Sequence, residues 1–203
     1  GFFVVLRGYQ HLPDGYINDI DICISIHRLA DFYKALRDYQ DVKCSLEVIV
    51  SRLGLIKCHL YLDEDVIPLD ILYGFYFFGL EYQNVILLNE KTRMHSSGLF
   101  WIPSLTDEIR ISLLKELLHN NRVRHDKAEY LSKMMFYCGG NLATEFFSNS
   151  DIFELMNGIR DGYYIFTRMS YAIKIKLFYT NIIREPFDTI NRVYTFFCIK
   201  YYL

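Results

Sequence analysis

Two carboxylates, Asp19 and Asp21, stand at i and i+2 in Asp19-Ile20-Asp21-Ile22-Cys23-Ile24-Ser25, nine residues after the glycine turn of Leu6-Arg7-Gly8-Tyr9. Successive side chains of a strand point to opposite faces, so Asp19 and Asp21 share a face with Cys23 and Ser25. Ile20, Ile22, Ile24 and Ile26 then form the face toward a core. Acids held side by side on a rigid strand repel unless a cation lies between them. An all-oxygen pair suits a hard divalent ion, Mg²⁺ (or Mn²⁺), which takes one or two carboxylates together with substrate phosphates. A metal-phosphate site is the chemistry this spacing points to.

A third acid comes from Val66-Ile67-Pro68-Leu69-Asp70-Ile71-Leu72, where Asp70 is the one charge in an apolar run. Acids are rarely buried without a partner, and a cation shared with Asp19 and Asp21 would supply one. A strand-end cap or an arginine pair is the competing role. Other chemistries find little here. The six histidines have no HxxxH or HxH spacing, and no Gly-x-x-x-x-Gly-Lys-[Ser/Thr] loop occurs. Ser96-Ser97-Gly98 lacks a strand-turn-helix setting for a nucleophile. Arg122, Arg124 and Lys127 form a basic cluster that reads as a solvated helix start.

The elements that must position these acids are legible as patterns. Strands are expected over 2–6, 19–26, 43–50, 55–62 and 66–73, with a helix over 27–39 carrying Leu29, Phe32, Tyr33 and Leu36 on one stripe. Ser51-Arg52-Leu53-Gly54 and Asp63-Glu64-Asp65 are turns short enough for antiparallel neighbours. The apolar run 84–88 is a further strand candidate. From Ser104, an N-cap with Asp107 at N3, the pattern turns helical, with Ile109, Leu113, Leu114, Leu117 and Leu118 as one stripe. Helices are expected over 126–137, 142–147, 152–156, 163–183 and 187–201. The fold class is α+β, divided into an α/β domain over 1–95 and a helical domain over 96–203, with the border near Gly98 and Pro103.

Composition narrows the setting. A net charge of −2 gives no strong nucleic-acid signal. The five cysteines (23, 44, 58, 138 and 198) form no CxxC pair and read as free thiols of a reducing compartment. Arg168, Lys174, Lys176 and Arg184 break the apolar C-terminal region below membrane-spanning length. No signal peptide is visible ahead of the first strand, so the expected location is cytoplasmic.

The glycine turn, the acid-apolar-acid triplet and a third acid on a later strand resemble the nucleotidyltransferase superfamily with a polymerase-β-like core. The resemblance covers about residues 2–75 and lies nearest a divergent subgroup, with the Leu-Arg-Gly-Tyr...Asp-Ile-Asp motif, whose relatives often accompany surface-polysaccharide genes. It implies a mixed or antiparallel sheet with flanking helices, followed by an all-helical domain. It further implies that Asp19, Asp21 and Asp70 are catalytic and hold a pair of ions, and that Arg7, Gly8 and Tyr9 face the nucleotide. The implied activity moves a nucleoside monophosphate from an NTP to a hydroxyl or phosphate acceptor, a small molecule or saccharide. Tyr9 departs from the family's usual Ser or Gly, and its ring would obstruct or redirect the triphosphate. A catalytically inactive nucleotide-binding or regulatory module is therefore the alternative. A sugar-nucleotide glycosyltransferase is disfavoured, because its Asp-x-Asp normally follows a nucleotide-binding half-domain and only eighteen residues precede Asp19.

Overall fold

In a computed structural model of the chain, the described residues are 3–7, 12, 19–38, 44–63, 65–83, 92–138 and 142–202, with residues 7, 44 and 199–202 described by backbone alone. Gly8, Tyr9 and the run 84–88 lie outside them. The described elements are mixed α and β. Strands β1 (Val4–Arg7) and β2 (Ile20–Cys23) are followed by a 3-10 turn (Ile26–Arg28) and α1 (Leu29–Arg37). Then come β3 (Cys44–Arg52), β4 (Leu55–Leu62), β5 (Asp65–Leu72), β6 (Phe75–Phe77), β7 (Leu80–Gln83), β8 (Thr92–Met94) and β9 (Trp101–Pro103). Helices α2 (Leu105–Asn120), α3 (His125–Cys138), α4 (Asn149–Arg160), α5 (Thr167–Arg184) and α6 (Pro186–Tyr202) complete the order. Contacts divide the chain into two compact units. One is Gly1–Tyr76 with Gln83–Pro103 and Thr195–Leu203, the other Phe77–Tyr82 with Ser104–Tyr194.

The first unit is built on a five-stranded sheet in the order β1-β2-β5-β4-β3. β2 and β5 run parallel, while β1 against β2, β4 against β5 and β3 against β4 are antiparallel. Its core is Val5, Ile22, Ile24, Phe32, Cys58, Leu69, Ile71 and Ile102. Ile24 and Ile71 are fully buried, and each such side chain contributes about 1.5–3 kcal/mol by leaving water. α1 lays Phe32 into this core, with Leu29, Tyr33 and Leu36 packed beside it. That is the stripe its i, i+3, i+4, i+7 spacing calls for.

The β2 expectation needs shortening. Ile24 still donates to the Leu72 carbonyl at 2.9 Å, but the chain then enters the 3-10 turn and the two-residue period lapses. Ile26, expected on the core side, is 51% exposed. Cys23, on the acid side of β2, is completely buried.

In the second unit, Ser104 caps α2 as its sequence indicates. Its hydroxyl accepts from the Asp107 amide at 3.2 Å, and Ile109, Leu113, Leu114, Leu117 and Leu118 are all buried. The acids that α2 also buries are satisfied. Glu116 accepts from Arg124 at 3.0 Å, Asp107 pairs with Arg110 at 3.4 Å, and Glu108 accepts from the Tyr130 hydroxyl. The expected helix over 142–147 does not form, and residues 143–148 are irregular. The Thr144 hydroxyl takes the amides of Phe146 and Phe147 at 3.1 and 3.2 Å, which closes a local turn in place of helical bonds. Ser148 and Asp151 then make a reciprocal capping box that starts α4 three residues earlier than its apolar pattern indicates.

Candidate metal centre

The first unit's sheet brings the acids together. Asp21 lies directly beside Asp70 in the parallel β2–β5 ladder, and Asp19 immediately precedes β2. One carboxylate oxygen from each of Asp19, Asp21 and Asp70 lies within 4.8 Å of the other two. The placement follows from elementary geometry. Residues in register on adjacent strands are about 5 Å apart and point to one face, and Asp19 is two residues from Asp21. Ile20, Ile22, Leu69 and Ile71 belong to or pack against the core, so the apolar alternation of both strands fixes which face carries the acids. Asp21 is 2% exposed and the Asp70 side chain 13%. Asp19 is the most open of the three.

At 4.8 Å, two carboxylates repel by about 3.5 kcal/mol at an effective dielectric near 20. A compensating cation stands beside Asp70. Lys57 on β4 is in register with Asp70, and its Nζ lies 2.8 Å from Asp70 Oδ2. Its side chain is 43% exposed, so the stem crosses the sheet surface while the ammonium stays near solvent. Lys57 was not among the residues the sequence singles out. The signal was the β4–β5 turn, because Leu62 opposite Asp65 carries Lys57 opposite Asp70. The backbone of Arg7 is opposite Asp21 on β1, past a register shift between Val5 and Arg7. The other two residues expected to face the nucleotide, Gly8 and Tyr9, lie outside the described residues.

Next to this row, Cys58 is 2% exposed and its thiol points to the Leu69 carbonyl at 3.4 Å. Burial, reinforced by the nearby Asp70 charge, pushes that thiol from 9.0 up to about 11. The neutral thiol is therefore the form the fold retains. Above pH 9 the unfolded chain releases this proton first, so stability drains away as pH climbs from about 9 toward 11. The expected result is a melting temperature lower at pH 10 than at pH 7.5, with a smaller difference in Cys58→Ala. Equal differences in the two proteins would contradict it. Cys23, Cys58 and Cys138 are all free and buried, so none offers a reactive surface thiol.

In the basic cluster after α2, Arg124 is engaged within its own unit. Arg124 pairs with Glu116 at 3.0 Å and approaches Asp126 at 3.9 Å. Ser97 accepts from the Leu99 amide and bonds His95 Nδ1 at 3.0 Å, contacts that close the β8–β9 turn.

The donor set fits a hard divalent cation. Opposite oxygens around one such ion are roughly 4–5 Å apart at metal–oxygen distances of about 2.1–2.5 Å, comparable with the 4.8 Å limit within this group. Among the described residues no helix is long and apolar enough to cross a membrane. No known protein family, curated protein or solved structure matches the chain.

Proposed function

We propose that the protein is a metal-dependent nucleotidyltransferase. It moves a nucleoside monophosphate from an NTP to a hydroxyl or phosphate acceptor, a small molecule or a saccharide such as those of surface-polysaccharide metabolism, with the cytoplasm as the setting. One observation carries the reading: Asp19, Asp21 and Asp70, at and beside neighbouring strands of one sheet, present oxygens within 4.8 Å of one another. Asp19, Asp21 and Asp70 would hold Mg²⁺ or Mn²⁺. When bound, such an ion offsets phosphate charge and lowers the pKa of an acceptor hydroxyl.

The chain's own contribution is position. The parallel ladder fixes Asp21 against Asp70, and the isoleucines beneath them hold the strand ends in place. The acids therefore need little reorganisation to meet a polyphosphate, which keeps the ordering cost of binding low. In the implied reaction the acceptor oxygen bonds the α-phosphorus, the bond to the bridging oxygen breaks, and pyrophosphate leaves.

The test is metal-dependent pyrophosphate release from each of the four NTPs, screened with sugar phosphates, alcohols and protein acceptors. Release with at least one pair is expected. Nucleotide binding without release under any condition would favour the inactive nucleotide-binding module. Lys57 gives that second reading some support, because its ammonium already compensates Asp70 without any metal.

A further inference from the structure

Asp70 has an internal cation within bonding distance, and that cation is displaceable. Lys57 Nζ donates to Asp70 Oδ2 at 2.8 Å, from a side chain 43% exposed on a neighbouring strand. Its stem can therefore swing outward without disturbing the core. The ammonium already bonds one of the two Asp70 oxygens, and its charge would repel a divalent cation bound at the same acid.

We infer that Lys57 is a built-in counter-cation: it holds Asp70 while the site is free of metal, and it must leave Asp70 before a divalent cation is fully coordinated. The inference rests on the metal reading above and adds what sets the affinity of the site. Lys57 keeps the acid cluster stable when no cation is present and lowers its affinity for the bare metal. Once released, its ammonium stands beside the bound cation, where an anionic group of the ligand is its natural partner. Metal and phosphate-bearing ligand then bind better together than separately. An ordinary structural ion pair behaves otherwise, because its removal costs stability equally with and without metal and does not tighten metal binding.

The experiment titrates Mn²⁺ alone into the wild-type chain, Lys57→Met and Lys57→Arg by calorimetry, with parallel melting curves. Lys57→Met is expected to bind Mn²⁺ about tenfold tighter, since a repelling neighbour has gone, while Lys57→Arg stays near wild type. Without metal, Lys57→Met should melt roughly 3 °C lower, and saturating Mn²⁺ should remove that difference. If Lys57→Met fails to fold, Lys57→Gln serves as the neutral variant. In crystals grown with Mn²⁺, the wild-type ammonium should lie beyond bonding distance of Asp70. Equal or weaker Mn²⁺ binding by the neutral variant, with wild type binding normally, overturns the role of Lys57 and leaves the metal site standing. No Mn²⁺ binding by any folded variant overturns the metal reading, and this inference with it.

Discussion

Replacing Asp19 and Asp21 together by Asn should abolish the rise in melting temperature that millimolar Mg²⁺ or Mn²⁺ gives the wild-type chain. It should also cut metal-dependent pyrophosphate release by a factor on the order of 10³, the several kcal/mol of charge stabilisation a bound ion supplies. An amide oxygen is a neutral and weaker ligand, and two such changes leave Asp70 as the one carboxylate of the group. Asp19→Asn alone removes a charge held within 4.8 Å of two others. Its melting temperature without metal should equal or exceed that of wild type, while its response to metal falls. A wild-type melting curve that does not move across millimolar metal would remove the basis of the functional reading.

The second large effect lies in the other unit. Asn181, on α5, is 5% exposed and acts as a strand partner for β7. Its Oδ1 accepts from the Glu81 amide at 2.9 Å, and its Nδ2 donates to the Glu81 carbonyl at 2.9 Å and to the Leu177 carbonyl at 2.9 Å. Asn181→Leu keeps the volume and removes every one of those bonds. The Glu81 amide and carbonyl, both part-buried, then lose their partners, at about 1–3 kcal/mol for each group left unsatisfied. We expect a loss of about 3 kcal/mol, or roughly 6–12 °C in a chain of this size. Asn181→Asp retains the acceptor for the Glu81 amide but loses both donations and places a charge in a buried setting. It too should be destabilised through the two lost donations, since Arg192 Nη2, 3.5 Å from Asn181 Oδ1, is placed to offset the new charge. A shift under about 1 kcal/mol for Asn181→Leu would show that water replaces the lost partners.

Much of the site was readable from residue types. Asp19-Ile20-Asp21 needs a strand for its acids to share a face, and the isoleucines between and beyond them require one. Asp70 stood out because a single charge in an apolar strand needs a partner. Lys57 escaped notice because strand register is sensitive to one residue. With Val66 taken as the first residue after the β4–β5 turn, Cys58 would have faced Asp70. The ladder begins at Asp65 instead, which puts Lys57 there. Ile26 and the segment 142–147 went astray for a related reason. Apolar periodicity says which residues are buried but not where the backbone stops repeating. At Thr144 a side-chain hydroxyl captured amides that a helix would have used.

Sequence alone determined the local rules of this protein. It set the core face of β2, the stripes of α1 and α2, the Ser104 cap and the identity of three acids able to bind a cation. Those features depend on neighbours a few residues apart, where side-chain period and capping chemistry decide the outcome. The tertiary structure decided which distant residues meet. It put β2 beside β5 so that Asp21 borders Asp70, laid Lys57 against that acid, and brought Asn181 to a strand a hundred residues away. Such pairings follow from the packing of whole elements, since buried polar groups take whichever partners the assembled core leaves within reach.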